Sequence, residues 1–327
     1  MNALSKSTFV WLLKREYWES KRGFLWAPFW AAAVLVIITV LGMIAGEVLN
    51  ARNSDTHVQM GMSLDDLLKS AVAHDVGQTI HALDASMTAV AMLVAIVLSF
   101  VLFFYLLGAL YDDRRDRSLL FWKSLPISDT ATVISKAVAA MIVAPLISVV
   151  IALAGYLALM VVVSFWLMIH GVNPFPVLWA HIEPFNLWLH LLATVPVNAI
   201  WALPTVGWLL FCSAAARSKP FLWAVIVPVI AGVLNMWIGL LGVPHIDNSF
   251  YWRHLFGGAL LGLIPGGWIA PNLRDLHPAD QGNIMQGLLG FDSMARALAM
   301  PEMWIGAVAG VALIAAAIWF RRWRDEA

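Results

Sequence analysis

Residues 88–129 read TAVAMLVAIVLSFVLFFYLLGALYDDRRDRSLLFWKSLPISD. Positions 88–110 hold no charged side chain and are long enough for a helix to cross the hydrocarbon core of a bilayer, which takes about 20 residues. The character then changes abruptly. Seven of the thirteen residues from Tyr111 to Lys123 are charged, and a block of large apolar groups and Leu125-Pro126 follow. A lipid-spanning helix that ends in a dense mixed patch defines the fold class: an all-α integral membrane protein whose connections carry the polar chemistry.

Composition agrees. Of 327 residues, 61% are hydrophobic and 12% charged, with a mean hydropathy of +0.80. Soluble domains run about 45–50% apolar and about 25% charged. Net charge is zero, so nothing in the composition favours nucleic acid as a partner. One cysteine, Cys212, excludes an internal disulfide framework and thiolate zinc clusters; it reads as a small buried apolar residue. The first apolar run is longer than a signal-peptide core and no small-residue cleavage site follows it, so no cleavable leader is expected.

Six runs are candidate spans: 24–45, 88–110, 137–169, 187–213, 221–242 and 302–320. The third is too long for one straight span, so it either kinks at Pro145 or projects beyond the lipid. Pro196, Pro204 and Pro228 lie inside the fourth and fifth; prolines free carbonyls that neighbouring helices must satisfy, so packing in a bundle is expected there. Lys and Arg set the orientation. With both termini cytoplasmic, the inner segments 1–23, 111–136, 214–220 and 321–327 hold 15 of the 20 basic residues, and the outer ones, 46–87, 170–186 and 243–301, hold 5. Trp26, Trp208, Trp223, Trp319 and Trp323 then mark the inner interface, and Trp166, Trp188, Trp237 and Trp304 the outer one.

Residues 1–327 thus form one transmembrane domain with two accessory segments. Residues 7–22, TFVWLLKREYWESKRG, place Val10, Trp11, Leu13, Tyr17 and Trp18 on one side of a helix and Lys14, Arg15, Glu19 and Arg22 largely on the other, the pattern of an interfacial helix. Within 243–301, the run LFGGALLGLIPGGWIAPNL (255–273) is apolar but interrupted by Gly and Pro; it reads as a re-entrant hairpin dipping part-way into the bilayer. Short helices are expected near 63–73 and 79–87. No internal repeat is visible.

No G-x-x-x-x-G-K-[ST] loop or H-E-x-x-H pair occurs. His74 and His81 are seven apart, and His170, His181 and His190 lie near an outer face; none has the partners of a metal or haem site, and solvated histidines are the expectation. The six runs contain no Asp, Lys or Arg, with only His190 and Glu302 near an outer end. Ion-coupled carriers keep such charges at mid-depth, so a proton-driven transporter is disfavoured. Asn198 and Asn235 are the polar amides inside, read as interhelical hydrogen bonds or as contacts lining a substrate path.

The 111–136 connection reads as a helix leaving span two. Asp112 and Asp113 would start it if the helix breaks and restarts there, and Arg114, Arg115 and Arg117 would anchor it beside Asp116. Leu119, Leu120, Phe121, Trp122 and Leu125 need burial against lipid or protein. Pro126 ends the helix, and Ser128 or Asp129 caps the next. Either this segment only fixes topology, or it docks a cytoplasmic subunit with charges at the rim and Leu, Phe and Trp as anchors.

Six spans, cytoplasmic termini, an interfacial N-terminal helix, a short apolar re-entrant segment before the last span, and an acidic-basic run leading to Leu-Pro together resemble an ABC-2 type exporter permease. In that family the segment after span two often carries an acidic residue, then Gly-Thr, Leu-rich residues and Pro followed by Ser. Here Asp113, Arg117-Ser118, Leu119-Leu120, Leu125-Pro126 and Ser128 stand in those places, with Gly lost and Thr replaced by Ser. The resemblance implies a coupling helix over 112–130 in a cleft of a separate ATP-binding subunit, with Asp113, Arg114, Arg115, Asp116, Arg117, Ser118, Leu119, Phe121, Trp122, Leu125 and Pro126 contacting it. Trp11, Lys14, Arg15, Tyr17 and Trp18 would belong to the connecting helix beside it. It implies no cofactor on this chain, ATP and magnesium on the partner, a second permease chain (identical or paralogous), and a bacterial inner-membrane location. The expected cargo is amphiphilic, lipid-like or peptide, because the bundle has no buried charge. Rival expectations are a non-transporting scaffold or sensor docking the same partner, and a membrane enzyme using the outer histidines.

Overall fold

The computed structural model describes residues 6–54, 76–116, 127–180, 184–264, 266–267 and 290–323. These are almost entirely helical, with no strand among them. Six helices are long and apolar enough to cross a membrane: α2 (Arg22–Leu49), α3 (Ala89–Arg115), α4 (Asp129–Ile169), α5 (Trp188–Ala215), α6 (Leu222–Leu240) and α9 (Pro301–Trp323). They are joined by α1 (Lys6–Glu19), by a helical segment over 248–260 (α7) and by α8 (Phe291–Ala299). The chain is a multi-pass membrane protein.

α3, α4 and α5 form the centre and are the most buried spans. One cluster, with Phe24, Leu106, Leu209 and Leu210 fully or almost fully enclosed, fills the half toward α1 and the end of α9. A second cluster around Val90, Tyr156, Leu159 and Met160 fills the opposite half. α2 and α6 are peripheral, with only 6% and 11% of their apolar windows covered by the rest of the chain. Pro228 therefore does not draw α6 into the bundle, contrary to the expectation from its proline. Its carbonyl instead accepts the Tyr251 hydroxyl at 2.7 Å.

Prolines are absorbed locally. Wider π-type turns cover Arg22–Trp26, Ala139–Val143 and Leu222–Ile226, each ending two residues before a proline: Pro28, Pro145 and Pro228. A proline ring clashes with the carbonyl four residues back, and an i→i+5 turn moves that carbonyl away. α4 thus stays helical for 41 residues, bulging just before Pro145 and extending to Asp129 beyond the apolar run. Pro196 and Pro204 sit inside α5 without such a turn.

α5 and α9 make the closest helix pair. A Cβ on Gly310 would collide with the Leu203 carbonyl, and one on Gly207 with the Gly310 carbonyl; Gly306 faces the Pro204 ring at 3.1 Å. Gly306 and Gly310, four apart on one face, let the backbones touch, the small-x-x-x-small packing of membrane helices.

The helix preceding α3 begins at Val76, so 79–87 continues into the span instead of forming a short helix of its own. The helix of α2 runs on to Ser54. Residues 63–73 lie outside the described ones, as do His74 and His181. α7 is capped by Asp247, whose carboxylate accepts from the Phe250 amide at 3.0 Å. Its far end meets the middle of the bundle: the Thr205 hydroxyl donates to Gly258 O at 2.6 Å and accepts from the Gly262 amide at 3.0 Å, while Ser99 donates to Leu263 O at 2.7 Å. Ser99 and Thr205 are ten residues from the nearer end of their spans, roughly 15 Å along each helix.

Candidate functional site

The N-terminal helix α1, the last turns of α9 and both roots of the 111–136 connection meet at one end of the bundle, the end that carries most of the described Lys and Arg. The connection's described parts are 111–116 and 127–136. Arg117, Ser118, Leu119, Phe121, Trp122, Leu125 and Pro126 lie outside the described residues.

The first root begins with a break. The Leu110 and Tyr111 amides both donate to the Ser213 hydroxyl at 3.0 Å, and a short helix Tyr111–Arg115 restarts with Asp112 and Asp113 in its first turn. The restart foreseen from the two aspartates is present. Arg114 does more than anchor: its guanidinium donates to the carbonyls of Ser213 and Ala216 and so closes the C-terminus of α5. Arg115 and Asp116 are exposed. At the second root Ser128, not Asp129, is the N-cap, its hydroxyl accepting from the Ala131 amide at 3.2 Å.

A buried ionic chain ties these roots together. Arg321, near the end of α9, reaches Asp129 at 3.0 Å and Asp113 at 3.3 Å. Asp113 also lies 3.6 Å from Lys136, and Lys136 lies 3.4 Å from Glu16 of α1. Glu16 accepts from the Tyr105 hydroxyl at 2.7 Å and from Arg15 at 3.3 Å; Arg15 in turn pairs with Glu19 at 2.9 Å. The side chains of Glu16, Lys136 and Arg321 are 1%, 4% and 4% exposed. Arg15, Lys136 and Arg321 face Glu16, Glu19, Asp113 and Asp129, so three cations meet four carboxylates, the fourth being the half-exposed Glu19. Charges this deep are tolerated only when paired and hydrogen-bonded. Four elements, α1, α3, α4 and α9, thus share one clasp.

The clasp explains how α1 sits. Leu12 and Glu16 face the bundle, whereas Val10, Trp11 and Trp18 point away from it, and Tyr17 is part-buried. The aromatic side foreseen for the interfacial helix is therefore directed outward, toward lipid. Lys14 lies over the Trp11 ring at 4.7 Å and Lys21 over Trp18 at 5.2 Å, extending along the apolar rings as snorkelling lysines do.

A second feature is a cavity of about 130 Å³ among α3, α4, α5 and the 262–266 segment. Asn198 lines it, as do Ser99, Ser148 and Thr194, whose hydroxyls are engaged by carbonyls of Leu263, Pro145 and Leu191. Among the described residues no charged side chain lines it. Asn235, paired with Asn198 in the sequence reading as path-lining, is elsewhere. Its amide holds Ile246 from both sides (2.8 and 3.1 Å) and contacts Asn248 at 2.9 Å, locking the turn after α6.

Of the outer histidines, His170 contacts the Trp166 carbonyl at 2.9 Å and lies 3.7 Å from Glu47, while His190 packs on the Phe291 ring. Among the described residues no group of three or more His, Cys, Asp or Glu converges on a point.

Glu16, Tyr105, Lys136 and Arg321 were not singled out by sequence reasoning. The available signal was a carboxylate on the Leu12 face of α1 and lone basic residues where apolar runs begin and end.

No protein-family model matches the chain, and no curated protein or solved structure is similar to it.

Proposed function

We propose that the protein is the membrane-spanning permease subunit of an ATP-driven exporter, with ATP hydrolysis on a separate ATP-binding subunit docked at the 111–136 connection. The observation that carries this reading is the clasp. Asp113 and Asp129, which flank the docking segment, are held by one guanidinium on the last span, and Glu16 and Lys136 bring the N-terminal helix into the same chain of pairs. A force applied to the segment would reach α1, α3, α4 and α9 without passing through loose loop. Leu119, Phe121, Trp122 and Leu125 are the anchors of the dock in this proposal, and the basic end faces the cytoplasm of a bacterial inner membrane.

The mid-bundle hydrogen bonds of Gly258, Gly262 and Leu263 support a re-entrant limb over 255–264, because irregular backbone at that depth needs protein partners. The uncharged cavity supports an amphiphilic, lipid-like or peptide cargo over a small ion. Two permease chains, identical or paralogous, would enclose the path.

The test is co-reconstitution in inverted vesicles with a candidate ATP-binding subunit from the same organism. ATP-dependent accumulation of amphiphilic cargo, lost in a hydrolysis-dead ATPase, is the expected result. Stable co-purification without any ATP-dependent movement would favour the scaffold or sensor reading instead.

A further inference from the structure

A pocket of about 420 Å³ lies at the basic end, between the end of α3 and the turn that joins α5 to α6. It is open to the surface, and both of its charged side chains, Asp112 and Lys219, are exposed. Phe104 and Phe221, stacked at 6.4 Å, and Leu222 form an apolar wall; Asp112 and Lys219 supply the charge. Among the described residues neither of these two side chains makes a hydrogen bond or an ion pair, with each other or with any other group. Asp113 and Asp116 repel the Asp112 carboxylate, and Arg115 and Lys136 attract it from outside the pocket.

Two further details single this pocket out. Lys219 has φ +47°, and it is the one non-glycine residue with positive φ among those described. That left-handed backbone disfavours any side chain, and strain of this kind gathers at binding sites. The Asp112 carboxylate folds back over Gly108, 2.5 Å from where a Cβ there would stand, so a methyl at 108 would push it from its present position.

We infer that this pocket holds the headgroup of an amino-phospholipid, its primary ammonium on Asp112 and its phosphate on Lys219. An anion and a cation facing one pocket but not pairing with each other match a zwitterion. The apolar wall of Phe104, Phe221 and Leu222 receives the first part of the acyl chains. A primary ammonium brings three N–H donors to the carboxylate, and a quaternary choline brings none. Phosphatidylethanolamine is therefore preferred over phosphatidylcholine. The inference does not depend on the exporter reading.

The test is native mass spectrometry of the full chain released from nanodiscs containing equal parts of phosphatidylethanolamine, phosphatidylcholine and phosphatidylglycerol. The wild type retains phosphatidylethanolamine about tenfold over phosphatidylcholine, the size of one charge-assisted hydrogen bond. Asp112→Asn removes that preference, and Gly108→Ala, which displaces the carboxylate without deleting it, reduces it. Lys219→Gly lowers retention about tenfold. Because glycine suits the left-handed backbone, the same variant keeps or raises the thermal midpoint, which separates lost binding from lost folding. Equal retention of ethanolamine and choline lipids by the wild type would overturn the inference. So would unchanged retention in Lys219→Gly, or equal retention of phosphatidylglycerol, which needs only the lysine.

Discussion

The Arg321 guanidinium lies 3.0 Å from the Asp129 carboxylate, a residue 192 positions earlier, and the same guanidinium reaches Asp113 at 3.3 Å. One side chain at the end of the last span therefore holds both roots of the 111–136 connection. Without it, two buried or part-buried carboxylates would face each other across a gap.

Arg321→Ala is expected to destabilise the fold by about 3–5 kcal/mol, the usual cost of stranding a buried charge. Arg321→Lys should recover only part, since one ammonium does not reproduce the guanidinium fork. Thermal unfolding in detergent checks both. A midpoint for Arg321→Ala equal to wild type would show that the pairs contribute nothing.

Glu16 and Lys136 form a coupled pair. Glu16→Ala leaves Lys136 with Asp113 alone and the Tyr105 hydroxyl without its acceptor, and Lys136→Ala leaves Glu16 with Tyr105 and Arg15. The double variant should lose less than the two singles together, by about 0.5–3 kcal/mol. Strict additivity would mean that the 3.4 Å contact carries no energy.

Six spans and the all-α class were legible because an apolar run of about 20 residues has few other folds available to it. The 41-residue length of α4 was not. The cap signal at 128–129 marks where it starts, but its continuing as one helix past Pro145 depends on the wider turn at Ala139–Val143. The clasp itself was illegible for a different reason. Its links between elements join residues from 23 to 208 positions apart, and charge counting places them at one end without saying which touch. Gly306 and Gly310 showed their spacing in the sequence, but not that Leu203 and Gly207 lie opposite.

Those glycines give a contrast within one protein. Gly310→Ala drives a methyl into the Leu203 carbonyl and Gly207→Ala into that of Gly310, so each should cost about 1–3 kcal/mol. Gly42→Ala and Gly46→Ala, in the exposed helix of α2, meet nothing within 4 Å and should be neutral or stabilising by up to about 1 kcal/mol. Midpoints that do not separate the two sets would show that the α5–α9 contact is looser than described.

If an ATP-binding subunit docks at the 111–136 connection as proposed, Trp122→Ala combined with Leu119→Ala should abolish co-purification with it and leave membrane insertion intact, each anchor of such a dock being worth on the order of 2 kcal/mol or more. Undiminished co-purification would place the dock elsewhere.

Cys212 is buried, so the wild type should resist membrane-permeant maleimide, a silent background for single introduced cysteines. A cysteine at Ser118 should then label from the inner side only, and one at Asn53 from the outer side only. Outer labelling of the former would reverse the orientation.

The seam between α5 and α9 has a mechanical meaning. Backbone rests on backbone there, with no side chain between to flex, so the two helices move as a single rod. Arg321 lies eleven residues beyond Gly310, about 16 Å along α9. In the proposed exporter a tug at that guanidinium would tilt the pair, and Thr205, bonded to the backbone of Gly258 and Gly262, would carry that wall of the cavity with it. The cavity would then change shape at the far end of a stiff handle.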